Sequence, residues 1–159
     1  MSAVEFGGEV DYRMMPAEIG LETAFELNSY SYDILGGRYQ FSYTDFMPSV
    51  MYYRVIEGKG YQFKFGGGIG PRFLSVGEIK PPLSSEVSYT ATGWGLVIRV
   101  DAATQVAAQA YAYIGGDIRY NSIPDPENNG KPLQAITNPN GIKFSSLGVG
   151  VKLGILFIL

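Results

Sequence analysis

The side chains best suited to acid–base chemistry in this chain are carboxylates set two and four residues apart. Glu22 and Glu26 form one such pair, and Glu5, Glu9 and Asp11 form a second group. Paired carboxylates can divide the roles of general acid and general base. The 159 residues contain no histidine and no cysteine, however, so no Ser-His, Cys-His or thiolate centre can be assembled. We expect no catalysis. The stretch YQFKFGGGIGPRF, residues 61–73, raises the question of a phosphate loop. Its GxGxxG offset fails at Pro71, no Lys-Ser or Lys-Thr pair follows, and no helix follows to supply a positive dipole end. Asp125, Glu127, Asn128 and Asn129 offer oxygen ligands of the kind calcium takes, but not at EF-hand spacing. They read as a solvated loop, and no metal or cofactor is expected. A net charge of −3 without a basic stripe gives no case for nucleic acid.

The elements that carry these residues are strands. Charged residues make up 17 % of the chain, below the usual quarter or so. No apolar run approaches the roughly 20 residues of a membrane helix. Apolar and polar residues instead alternate with period two along most of the sequence. This predicts one domain over 1–159 with eight strands, at 3–13, 19–30, 37–46, 49–57, 60–76, 87–100, 104–121 and 141–158. Glu57-Gly58-Lys59-Gly60 reads as a tight hairpin turn, and Met15-Pro16 and Met47-Pro48 read as strand ends. The alanine-rich 101–112 could favour helix, but it runs on in strand alternation. The two long connections, near 77–86 and 121–141, fall on the same rim. The expected fold is all-β, an eight-stranded antiparallel up-and-down transmembrane β-barrel.

The membrane expectation rests on which face is apolar. The polar parity holds charges together with many small residues, among them Gly66, Gly68 and Gly70, as the crowded interior of a small barrel requires. The apolar parity is nearly free of charge. Its aromatics Tyr12, Tyr39, Tyr43, Tyr61, Phe73, Trp94, Tyr120 and Phe157 cluster toward strand ends, where they suit the membrane interface. In 49–57, Met51, Tyr53 and Val55 are assigned to that same outer face. The parity places Glu5, Glu9, Asp11, Glu22, Glu26, Arg38, Arg54, Lys64, Arg72, Arg99, Arg119 and Lys152 inside, as an ion-pair network that plugs the lumen.

With its alternation, FGGGIGPRFL in the fifth strand and VGVKLGILF at the end, the chain resembles the small outer-membrane barrels of Gram-negative bacteria, the OmpA/OmpX/OmpW-like group. The resemblance implies a bacterial outer-membrane location, with both termini at the periplasmic rim and long loops outside the cell. It also implies contact with bilayer and lipopolysaccharide, and an aromatic near the C-terminus, here Phe157, read by the assembly machinery. Enzymes among such barrels use a histidine, which this chain lacks. The function expected is a monomeric, non-enzymatic barrel presenting loops for structural, adhesion or partner-binding roles. One alternative is a narrow transporter for small hydrophobic molecules, with an apolar pocket near Phe73, Leu74 and Val76. The other is a soluble lipocalin-like carrier.

Overall fold

The computed structural model describes residues 4–14, 16–34, 37–80, 85–133 and 144–157. The described residues are all-β. Their strands are β1 (Val4–Met14), β2 (Ala17–Ile34), β3 (Gly37–Gly58), β4 (Tyr61–Ile79), β5 (Val87–Ala107), β6 (Ala110–Ser122), β7 (Glu127–Asn128), β8 (Lys131–Pro132) and β9 (Ser146–Phe157). They form one antiparallel up-and-down sheet in the order β1-β2-β3-β4-β5-β6-β9, with β7 paired to β5 and β8 to β7. Side chains of β1 reach β5, and side chains of β2 reach β9. The sheet is therefore rolled around one face. It is not closed into a barrel, because β1 and β9 pair with no further strand among the described residues.

Three boundaries differ from the sequence expectation. The expected third and fourth strands are one strand, β3, which runs straight through Met47-Pro48. Proline breaks a ladder only where its absent N–H is needed. Here the β3–β4 pairing lapses between Phe46↔Phe73 and Val50↔Ile69, and both Pro48 and Pro71 fall in that lapse. Arg72 occupies it: its Nη1 donates to the carbonyls of Pro71 at 3.0 Å and Pro48 at 3.5 Å, and to Ser49 Oγ at 3.1 Å. Second, the expected break at 101–103 lies instead at Ala108-Gln109. The alanine-rich run is the end of β5, a turn and the start of β6, with a bulge between Gln105 and Ala107. Gln105 Nε2 ties this turn by donating to the Ala108 carbonyl. Third, the long connection before β9 contains a hairpin. Asn129 and Gly130 both adopt positive φ, 50° and 75°, between β7 and β8, as a two-residue hairpin turn requires.

The strand count changes accordingly. Seven long strands replace eight, and the rims sort differently. Pro16, Lys59-Gly60 and Ala108-Gln109 mark the short rim, while the connections at 35–36, 80–86 and 123–145 share the other. The Met15-Pro16 tip thus moves to the short rim (Met15 itself lies outside the described residues). β1 starts at the long rim and β9 ends at the short one, so the placing of both strand ends at one rim is not what the topology gives.

One face assignment also reverses. In β3 the odd positions point inward: Tyr39, Phe41, Met47, Met51, Tyr53 and Val55 are buried, while Arg38 and Arg54 are exposed on the outer face. From 46 to 56 both parities are largely apolar, and the one charge there, Arg54, points the sequence reading to the wrong face, because Arg54 lies outside. The outer row does choose: Phe6, Phe25, Phe46 and Phe73 stack in succession across β1 to β4 with centroids 4.8–6.0 Å apart. Inside, Tyr39, Phe41, Leu74, Val76, Ile123 and Leu133 form an apolar cluster toward the long rim. Met51, Tyr53, Val55 and Val97 form a second cluster, further along β3.

Gly66, Gly68 and Gly70 have no room for a side chain. A Cβ on Gly70 would meet the Pro48 carbonyl and the Ser49 Cα, the latter at 2.7 Å. One on Gly66 would lie 2.8 Å from the Tyr53 Cα, and one on Gly68 would strike Met51 Sδ and the Val50 carbonyl. Backbone cannot yield as a flexible side chain can. Gly8 and Gly148 face open space. Gly70→Ala should therefore lower stability by about 1–3 kcal/mol, the range for overpacking. Gly8→Ala and Gly148→Ala should stay within about 0.5 kcal/mol. Denaturant midpoints in detergent measure all three.

Candidate functional site: a buried ion-pair network

Register creates the problem that this site resolves. Across β1–β2, Glu9 lies directly opposite Glu22, and Glu5 opposite Glu26. Like charges so placed repel. Arg99, from β5 on the far side of the rolled sheet, answers the first pair. Its Nη1 donates to Glu9 Oε2 at 2.6 Å and its Nη2 donates to Glu22 Oε1. Tyr53 supports the arrangement: its hydroxyl donates to Glu9 Oε2 at 3.1 Å and accepts from Arg99 Nη1 at 3.0 Å. Glu22 also accepts from Lys152 at 2.7 Å and Arg119 at 3.2 Å. Asp117, paired across β5–β6 with Arg99, lies within 3.2–3.6 Å of Arg99, Arg119 and Lys152. Glu5 closes the group, 2.9 Å from Arg119.

A second group lies nearer the short rim. Lys64 contacts Asp11 at 2.5 Å and Glu18 at 2.6 Å, and its ammonium stands 5.3 Å from the Tyr53 ring centroid. Arg13 pairs with Glu18 at 2.8 Å and Glu57 at 2.5 Å. Glycine makes space for these heads too. A Cβ on Gly20 would lie 2.6 Å from Glu9 Oε1 and would strike Asp11 Oδ1. Arg72 forms a third centre, with Nε donating to Asn121 at 2.8 Å. Its guanidinium lies over Gly95, whose Cβ would be 2.6 Å from Cζ. Toward the long rim, Tyr39 donates to Glu78 at 2.7 Å and Tyr43 to Glu26 at 2.5 Å.

The structure thus brings Glu5, Glu9, Glu22, Arg99, Arg119 and Lys152 into one network, Asp11 and Lys64 into another, and leaves Glu26 and Arg72 with separate partners. Arg38 takes no part: it is outside, 3.9 Å from an exposed Asp33. Tyr39 and Tyr43 are not at an outer interface but donate inward. Tyr12, Tyr61, Phe73, Trp94, Tyr120 and Phe157 are exposed on the outer face. Phe73 is therefore not part of an inner pocket, and Leu74 and Val76 lie in the filled apolar cluster.

Sequence reasoning missed Glu18, Asp117 and Tyr53. Glu18 shares parity with Glu22 but lies one residue before the expected strand at 19–30, whereas β2 begins at Ala17. Asp117 shares parity with Arg119. Tyr53 was unreadable for the reason that β3 was inverted.

Chemically, the network neutralises and fills. Its cations are engaged by several carboxylates each, and cavities of about 380 and 670 Å³ lie between the β1 and β9 edges and reach in to Glu9, Arg99 and Lys152. Among the described residues no cluster of acidic side chains is arranged to hold a metal ion. Comparison with protein-family models, with curated proteins and with solved structures found no match.

Removing one partner of a buried pair strands the other, at a cost of about 3–5 kcal/mol. Arg99→Met should show that loss, because it leaves Glu9 without its cation and directly opposite Glu22, which keeps Arg119 and Lys152. Adding Glu9→Gln and Glu22→Gln to Arg99→Met should recover part of it. A thermodynamic cycle of Arg99→Met, Glu9→Gln/Glu22→Gln and the triple variant, read by chemical denaturation, checks this; additive losses would mean that Arg99 does not bridge the pair.

Proposed function

We propose that the chain is a non-enzymatic protein of the bacterial outer membrane. Its rolled sheet crosses the bilayer, its interior is filled by ion pairs and apolar packing, and its long-rim connections serve structural, adhesion or partner-binding roles. One observation carries this reading: the large apolar side chains stand on the outside. Val10, Val149, Val151 and Leu153 are 76–82 % exposed, while Glu22, Arg99, Arg119 and Asp117 are buried. Water-soluble domains rarely expose contiguous apolar surface on this scale, and a membrane-spanning sheet presents this polarity.

The aromatic rows add support. Phe6 and Tyr12 bracket the outer face of β1, six residues or about 20 Å apart along the strand, near the roughly 25 Å of an apolar band between two aromatic girdles. The Phe6–Phe25–Phe46–Phe73 row continues toward Trp94 and Tyr120, whose rings meet edge-on at 5.7 Å. Among the described residues the cavities that reach the interior are lined by the charges of Glu9, Arg99 and Lys152, which suits an apolar ligand poorly. The filling of the Leu74–Val76 region removes the observation that favoured a transporter of hydrophobic molecules.

Two measurements test this reading. Refolded with liposomes, the protein should float with the lipid, and Val151→Arg should weaken insertion by about 2–4 kcal/mol if the position is near the midplane. In planar bilayers the conductance should be negligible. A protein that stays monodisperse in buffer without detergent would defeat the membrane reading, and a large stable conductance would defeat the filled interior.

A further inference from the structure

The outermost strands, β1 and β9, pair with no further strand among the described residues. Adjacent long strands are antiparallel and there are seven of them, so β1 and β9, the two outermost, run in the same direction. They cannot close on each other by the antiparallel pairing used everywhere else. Between them lies a slot. The cavity of about 670 Å³ is lined on one side by Glu5, Phe6, Gly7, Gly8 and Glu9, and on the other by Gly150, Val151, Lys152 and Leu153. Both runs are consecutive, so each edge offers backbone as well as alternate side chains. The cavity of about 380 Å³ continues the slot past Gly154 to Leu156. Glu5 and Lys152 approach across it only through their long side chains, at 3.5 Å.

We infer that this slot accepts one extended peptide strand supplied by another polypeptide, running antiparallel to both β1 and β9. A single strand there forms two antiparallel ladders at once and brings the long strands to eight, an even number that closes. A second copy of the chain fits less well. Set alongside in the same orientation, it would pair β1 with a parallel β9, a less stable ladder. The chemistry of the occupant follows from the slot. Its outward residues join Phe6, Val10, Val149 and Val151 and are aliphatic. Its inward residues face an acid-rich wall, where Glu5, Glu9, Glu22 and Asp117 outnumber Arg99 and Lys152. Small or basic side chains suit them. This mode of recognition draws affinity from main-chain bonds and specificity from alternate side chains. The slot and the strand count stand apart from the membrane reading, while the aliphatic outward residues and the shared orientation of neighbouring copies rest on it.

The test uses the whole chain in detergent and a synthetic peptide of about ten residues, close to an average longer strand, alternating valine with lysine or threonine. Hydrogen exchange is followed with this peptide and with one of the same composition in shuffled order. The alternating peptide should slow amide exchange in β1 and β9 by about tenfold or more while β3 and β4 are unchanged, and the shuffled peptide should not. Equal slowing by both peptides, or none by either, overturns the inference. So does full protection of β1 and β9 before any peptide is added, which would mean that the chain or a second copy already covers the edges. Because the chain has no cysteine, a Phe6→Cys/Val151→Cys variant gives an independent check. Ready disulfide formation would require the two Cα atoms within about 7 Å and would leave no space for a strand.

Discussion

Two carboxylates set directly opposite each other on adjacent strands, one buried and one half-buried, repel unless a cation stands between them, and Glu22 and Glu9 are set so. Arg99 supplies the cation, and it comes from β5, three strands beyond β2. For its guanidinium to reach both acids the sheet must roll. Once the sheet rolls, Arg119 on β6 and Lys152 on β9 are carried to Glu22 and Asp117 as well. The curvature of the sheet and the pairing of its charges are thus one constraint. Small residues make it possible: Gly20 leaves room for the carboxylates, and Gly95 leaves room for the Arg72 guanidinium. Charge is tolerable in this interior because Arg99, Arg119, Lys152 and Lys64 each meet more than one carboxylate, the Tyr53 hydroxyl accepts from Arg99, and Arg72 is held by Asn121, Ser49 and main-chain carbonyls instead.

The same economy explains the prolines. Pro48 and Pro71 would each leave a hole in a central ladder. Placed in one lapse of the β3–β4 pairing, they share a single hole, and Arg72 donates to the carbonyls left free there. An inward arginine therefore replaces the missing main-chain donors, while Gly66, Gly68 and Gly70 let β4 press close against β3. The glycine run that resembles a phosphate loop by composition acts here as a seam between two backbones.

Most of the inward face was legible in the sequence, because strand alternation is a strict period and, in the strands other than β3, nearly every charge falls on one parity. In β1, β2, β4, β5, β6 and β9 the parity that carries Glu9, Glu22, Lys64, Arg99, Arg119 and Lys152 is unambiguous. β3 was not legible. Its residues 46–56 are largely apolar on both parities, their one charge, Arg54, lies outside, and Met47-Pro48 carries the composition of a turn although the proline is accommodated by a feature of the neighbouring strand. Local sequence cannot report that Pro71 lies across from it. The Ala108-Gln109 turn has no Gly, Pro or Asn to mark it. The β7–β8 hairpin did carry its signal, Asn129-Gly130, within a stretch whose prolines pointed to loop. The count of strands, and with it the unpaired edges, depended on these local ambiguities.

The central claim is that the apolar outer face meets hydrocarbon while the charges stay within. Trp94 is the single tryptophan of the chain, and it lies on the outer face against Tyr120, 45 % exposed. Its fluorescence in vesicles of lipids brominated along their acyl chains reports contact with hydrocarbon directly. The emission should be blue-shifted, strongly quenched by the brominated chains and poorly quenched by acrylamide in the surrounding water. Emission at the wavelength of a hydrated indole, quenched by acrylamide and indifferent to bromine, would contradict the account.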